Sequence, residues 1–196
     1  MTNKKVSLGA IPVIYPEPAV LVGVNVNGQA NFTTVAWAGV VASEPPMLMV
    51  ALRPSRYSTK GVFEHQSFSV NIPSSDMAEA VDYCGMYSGS ENNKAEICGF
   101  NIFHTKDNIP MIKQCPVNIV CRLKDVISQG SHYLICAQIL DIHASSSVLA
   151  SDGTIDVEKV NPLIFMSGQN GGYFALGRKV GEAFSCGKNV VAKAQK

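Results

Sequence analysis

The sequence predicts a small, mainly β domain of antiparallel strands in a Greek-key barrel, with a few short helices. Three observations carry that expectation. Val20, Val22, Val24 and Val26 alternate with Leu21, Gly23 and Asn25, the period of two that a strand requires. Hairpin punctuation recurs at Asn27-Gly28, Ser43-Glu44-Pro45-Pro46 and Asp152-Gly153. Helical stretches are few and short, so the strand–helix alternation of a doubly wound sheet is missing.

The elements follow in order. After the Val20–Val26 strand, Asn27 and Gly28 supply the positive-φ positions of a tight turn, and a return strand runs from about Asn31 through Val41. Two adjacent prolines cannot continue a ladder, so the chain turns at Pro45-Pro46 before an apolar strand from Met47 to Leu52. Pro54 stops that strand, and Ser55 to Thr59 offers cap residues for a short helix ending near His65. Ser67 to Ile72 is a strand closed by Pro73. Ser74 or Ser75 caps a second helix through about Tyr83, and Gly85 to Asn93 is loop. Val117, Ile119, Cys121 and Leu123 alternate in a later strand. Tyr133 to Ile142 is a long strand apolar on both faces, which fits a barrel wall covered by a second layer or another subunit. Leu163 to Met166 and Tyr173 to Leu176 are short strands. Residues from about 177 to 196 form a Gly-containing arm with no core role. The 196 residues make one domain with no internal repeat.

Composition excludes several functions. Sixteen basic residues against fifteen acidic ones leave no field to hold a nucleic acid or an anionic membrane. Lys4 and Lys5 precede a short apolar stretch broken by Pro12, Pro16 and Pro18, which is neither a signal peptide nor a membrane span, so a cytoplasmic protein is expected. Charged residues are only 16% of the chain, which points to surface buried against a second copy. The six cysteines, 84, 98, 115, 121, 136 and 186, show no metal-ligand spacing with histidine. They read as reduced, packed thiols, with no metal and no redox role assigned.

The segment after Leu52 carries the best local chemical signal. A strand ends, and Ser55, Arg56, Ser58 and Thr59 open a helix with Lys60 next. Free N–H groups and the positive dipole end of a helix, hydroxyl donors and a planar guanidinium fork together describe a phosphate dianion site. A Ser-capped surface helix has the same residues, and this segment alone does not separate the two. No G-x-G-x-x-G follows a strand, and Gly187-Lys188-Asn189 lacks the hydroxyl of a P-loop. A phosphate bound here is bound without a Rossmann domain.

Four blocks of sequence resemble one family. They are Asn31-Phe32-Thr33-Thr34-Val35-Ala36-Trp37-Ala38-Gly39, Ser43-Glu44-Pro45-Pro46-Met47-Leu48, Arg53-Pro54-Ser55-Arg56-Tyr57-Ser58-Thr59 and Phe68-Ser69-Val70-Asn71-Ile72-Pro73. In order and spacing they resemble the flavin reductase-like, FMN-binding split-barrel family. Ser88-Gly89 with Lys94 is similar to the family's Ser-Gly…Lys loop, and Gly130-Ser131-His132-Tyr133 to its Gly-x-His strand start. The stretch from Tyr173 to Lys188 is similar to the flavoredoxin branch.

The resemblance implies a split β-barrel holding FMN, with FAD the less favoured cofactor. It implies that the backbone of Thr34, Val35, Ala36 and Trp37 faces the isoalloxazine edge, where amide donors stabilise negative charge on a reduced ring. Ser55, Arg56, Ser58 and Thr59 would hold the phosphate, with Lys94 adding charge to it, and Arg53, Tyr57 and Ser88 would be further cofactor-binding residues. Trp37 has two readings, stacking near the flavin or filling the barrel, and core packing is the commoner fate of an aromatic. His132 is the candidate catalytic residue, assisting proton movement near the flavin or nicotinamide; a structural role is the commoner one for a single histidine at a strand start. Tyr173 and Phe174 either cover the flavin's open face or pack at a dimer seam. The expected function is that of an FMN-dependent oxidoreductase, a homodimer moving electrons from NAD(P)H or a redox protein partner to a flavin, a protein or a small acceptor. The alternative is a non-enzymatic FMN electron carrier or flavin-binding protein.

Overall fold

The computed structural model describes residues 4–188 and 190. A two-residue strand, β1 (Glu17–Pro18), leads into β2 (Val20–Val26). Asn27 (φ 52°) and Gly28 (φ 77°) then turn the chain into β3 (Gln29–Val35), as the positive-φ preference of Asn-Gly dictates. Next come β4 (Ala38–Ser43), β5 (Pro46–Leu52), α1 (Tyr57–His65) and β6 (Ser67–Ile72). A short 3-10 turn precedes α2 (Ala78–Met86), followed by α3 (Lys94–Ile97), β7 (Ile102–His104) and β8 (Pro110–Ile112). Two long strands, β9 (Val117–Gln129) and β10 (His132–Ala144), form the back of the molecule. The chain finishes with α4 (Val157–Val160), β11 (Ile164–Met166) and β12 (Gly172–Phe174).

Seven strands pair in the order β3-β2-β6-β9-β10-β5-β4, each neighbour antiparallel. The two edges of this sheet, β3 and β4, are consecutive in the chain and are joined only through Ala36 and Trp37. A flat sheet of that width would hold its edges about 29 Å apart, while the link from Val35 to Ala38 reaches only about 10 Å. The sheet must therefore curl until its edges meet, which makes a barrel with one seam. The predicted single strand from Asn31 to Val41 is thus corrected to two strands on opposite edges. The hydrophobic pattern runs through both, so periodicity could not show the break.

The even valines of β2 point into the barrel, where Val50, Leu52, Val62, Phe68 and Ile135 are also buried. Leu21 points outward, yet it is fully buried against Phe32, Val81, Cys84 and Ile112. A second core under α2 and α3 therefore covers the far face of β2. Other expectations shift slightly: α2 extends past Tyr83 to Met86, so the following loop begins after Met86 and not at Gly85, and the β7–β8 hairpin was not anticipated. Neither expected cap serine forms a cap bond; the Ser74 hydroxyl bonds Asp76 instead. The outer face of β4 and the far half of β10 leave Val40, Val41 and Ile142 exposed. Residues 177–188 of the C-terminal arm are exposed, and residues 189 and 191–196 of it lie outside the described residues. Among the described residues no helix is long and apolar enough to cross a membrane, and no cluster of metal-ligating side chains forms.

Candidate functional site

The connection from β5 to α1 departs from a simple capped helix. Arg56, extended at φ −69° and ψ 131°, is the N-cap residue, and no side chain caps the first turn. The hydroxyls expected to do so are used elsewhere. Ser58 is fully buried, and its Oγ accepts from Asn31 Nδ2 at 2.6 Å. Thr59 Oγ1 donates to the Arg53 carbonyl at 3.0 Å. The turn is thereby fastened to β3, and its free N–H end is left for a ligand.

A cavity of about 170 Å³ opens at this end, lined by Ser55, Arg56, Tyr57, Ser58, Ser88 and Lys94 among others. Lys94, at the start of α3, is only 3% exposed, and its Nζ donates to the carbonyls of Cys84 (3.1 Å) and Tyr87 (3.3 Å). Burial pulls its pKa below the ordinary lysine value; Cys84 opposes that pull and the Arg56 charge adds to it. Arg56 Nη1 donates to the Gly85 carbonyl at 2.9 Å, so guanidinium and ammonium are both aimed from fixed anchors. Gly89 closes the rim, where a Cβ would lie 1.9 Å from Asn31 Oδ1. Thr59 does not line the cavity, because its side chain turns back to Arg53, and neither does Lys60.

A second cavity, of about 400 Å³, is lined by Thr34, Val35, Ala36 and Trp37 together with His132 and Phe165. Arg53 and Arg56 line both cavities, so the two are parts of one site. The Thr34 hydroxyl donates to the Val81 carbonyl, which ties β3 to α2 and leaves the backbone to form the wall. Trp37 does not fill the barrel. It stands at the seam, 39% exposed, with its carbonyl accepting from the Ala51 N–H at 2.8 Å and its Nε1 donating to Glu17 Oε1 at 3.0 Å. Its ring lies 4.7 Å from that of His132, whose Nδ1 pairs with Ser131 Oγ at 2.8 Å. Burial, then the Arg53 charge, holds the His132 pKa below the ordinary histidine value.

Tyr173 lines neither cavity. Its hydroxyl donates to Asp82 Oδ1 at 3.1 Å and its ring lies 5.4 Å from Phe165, so it braces the trough from behind. Burial and then Asp82 push its pKa up to about 12. Phe174 is exposed. Sequence reasoning missed Asn31 and Thr33, which line the anion cavity from β3, and Phe165 and Glu17, whose places depend on pairings far apart in the chain. Burial pushes the thiols of Cys84 and Cys121 up to about 12, which leaves them unreactive.

Two cations and several hydroxyls suit a phosphate dianion, and the adjoining trough between backbone, indole and phenyl walls suits a flat ring. This donor set fits FMN: Arg56, Lys94 and the serines would hold the phosphate, and the 34–37 backbone with Trp37 would flank the ring.

The comparisons with known proteins identify the family of the fold. The family model described as "Flavin reductase like domain" matches residues 13–173. The structure is similar to the flavoredoxin of Methanosarcina acetivorans, with a TM-score of 0.87 and 32% identity over 97% of this chain and all of that one. It is equally similar to the flavoredoxin of Desulfovibrio vulgaris (Miyazaki F), with a TM-score of 0.88 and 33% identity over 94% of this chain and all of that one. A NADPH-flavin oxidoreductase of Streptomyces viridifaciens is 27% identical over 57% of this chain and 58% of its own.

Proposed function

The chain belongs to the flavin reductase-like family, and on that premise we propose that it is an FMN-dependent oxidoreductase that passes electrons from NAD(P)H or a redox protein to a flavin, a protein or a small acceptor. The observation that carries this reading is the sharing of Arg53 and Arg56 between the anion pocket and the ring trough. When bound, FMN supplies one- and two-electron chemistry that no side chain here can supply. The chain's part is to hold and shield it. Arg56 and Lys94 anchor the phosphate end, Phe165 and Trp37 exclude water from the ring, and His132 takes or gives a proton at its imidazole. The exposed apolar residues of β4 and β10 support a homodimer, and six free thiols suit the reducing cytoplasm.

The test is one absorbance spectrum with identification of the released cofactor. Purified protein should be yellow, release FMN on denaturation and bleach with a reductant. Colourless protein that fails to take up added FMN sinks the proposal.

A second reading, a pure FMN electron carrier, is favoured by the similarity to two flavoredoxins over nearly the whole chain. Stopped-flow reduction by NADH and NADPH separates the two. Rapid bleaching with turnover on free FMN rules out the carrier; bound FMN that neither nucleotide reduces supports it.

A further inference from the structure

Glu17 is buried to 6% exposure, held on β1 by pairing with Phe165 of β11. One carboxylate oxygen accepts from the Trp37 indole; the other, Oε2, is the one buried side-chain polar atom without a hydrogen-bond partner among the described residues. Such an orphan is costly to the fold, and a role in folding alone would be met better by an apolar side chain. The neighbours do not explain it either. Glu17 borders an apolar cavity of about 370 Å³ whose walls include Val13, Ile14, Pro18 and Met49. Against the indole it holds lies the His132 ring, at 4.7 Å and tilted by 45°. Trp37, His132 and Phe165 all line the ring trough.

We propose that Glu17 is a positioning residue for the ring end of the site: its carboxylate fixes the Trp37 indole, and indole and carboxylate together hold the His132 imidazole against the trough and favour its protonated form. A charge-assisted N–H···O bond sets the plane of the indole. It also makes the indole face a better partner for a cation, which the tilted His132 ring provides when protonated. The charged groups that line the trough with His132 from other elements are Arg53 and Arg56, of which Arg53 opposes protonation, while Ser131 on its own side offers a neutral hydroxyl. On this proposal the Glu17 carboxylate offsets the Arg53 charge through the indole it holds. Its value to the reaction rests on the flavin reading; the geometry itself is testable without flavin.

Trp37 is the only tryptophan in the chain, so indole emission reports this site alone. In flavin-free protein an imidazolium stacked on the indole quenches emission. Wild-type emission should fall with pH at a midpoint below the ordinary histidine value of 6.5, and H132Q should abolish the change. Glu17→Leu frees the indole and should cut the amplitude at least threefold, on the order expected for loss of a charge-assisted bond. Glu17→Gln keeps an acceptor oxygen without the charge; it should keep the amplitude and lower the midpoint by about half a unit. If the leucine variant fails to fold, the near-isosteric glutamine variant decides. Glu17 variants that titrate as the wild type does overturn the proposal, as does wild-type emission indistinguishable from that of H132Q. Failure of the wild type to bind FMN would instead sink the flavin reading and leave this titration standing.

Discussion

At the anion end of the site, Arg56, Ser58 and Lys94 are each fixed by a hydrogen bond to a neighbouring segment. At the ring end the wall is the barrel seam itself, where Ala36 and Trp37 carry the chain from one sheet edge to the other. One end is built from side-chain charge and the other from the path of the backbone. The difference teaches that a point mutation can remove the first but only reshape the second. Affinity should therefore be lost at the anion end, while changes at the ring end should alter reactivity.

The largest expected effect comes from Lys94→Ala. It removes a cation and takes the donor from the Cys84 carbonyl in a buried place and from the Tyr87 carbonyl in a partly buried one. Stability should fall by about 3 kcal/mol, measured by urea unfolding, and FMN affinity should fall by about 100-fold or more. Full stability in this variant would mean that the ammonium is not the strut between α2 and α3. Arg56→Ala should cost less. Arg56 is half-buried and makes one bond, to the Gly85 carbonyl, so folding should hardly change. FMN affinity should drop about tenfold to 100-fold, with a weaker dependence on salt. Unchanged affinity would place the phosphate elsewhere.

The same contrast explains what the sequence could disclose. Ser55, Arg56, Ser58 and Lys94 announce their chemistry by residue type, and the structure gathers all four in one cavity. Thr59 belongs to the same run of hydroxyls, yet it faces Arg53, because a local pattern does not say which hydroxyl the backbone consumes. Most strands were legible in period-two alternation and in the Asn27-Gly28 turn. The seam was not, since Ala36-Trp37 looks like mid-strand until the far edge is paired. Phe165 and Glu17 were invisible for the same reason. They come to Trp37 and the trough through β11 and β1, and that pairing spans most of the chain.

A pH titration sharpens the comparison further. In the flavin-free protein burial holds the Lys94 pKa below the ordinary lysine value of 10.5, and a bound phosphate favours the charged form. FMN affinity should therefore be full below the lowered pKa and decline as pH rises through it, by at most about tenfold per unit. The decline should begin below the pH at which an exposed lysine titrates. In Lys94→Met that decline should be absent. A wild-type affinity that stays flat into the range of ordinary lysines would show that Lys94 does not reach the phosphate.

The smallest effect on affinity is expected at the ring end, from His132→Gln. His132 has its hydrogen bond to Ser131 and its contact with Trp37, and it lies away from the anion pocket. Glutamine keeps a polar group of similar reach, so FMN affinity should change by no more than about threefold, within the range of a single neutral hydrogen bond. The pH dependence of flavin reduction should respond instead. The His132 pKa lies below the ordinary histidine value, so the wild-type imidazole is mostly neutral at pH 7 and gains its proton only as pH falls through that lowered pKa. A rate that depends on the imidazolium should rise toward acid in the wild type and lose that rise in the variant; one that depends on the neutral base should do the opposite. Identical pH profiles in the two proteins would remove His132 from proton movement and leave it as a wall of the trough. A large loss of affinity would break the contrast itself, because it would show that the two ends do not divide binding from reactivity.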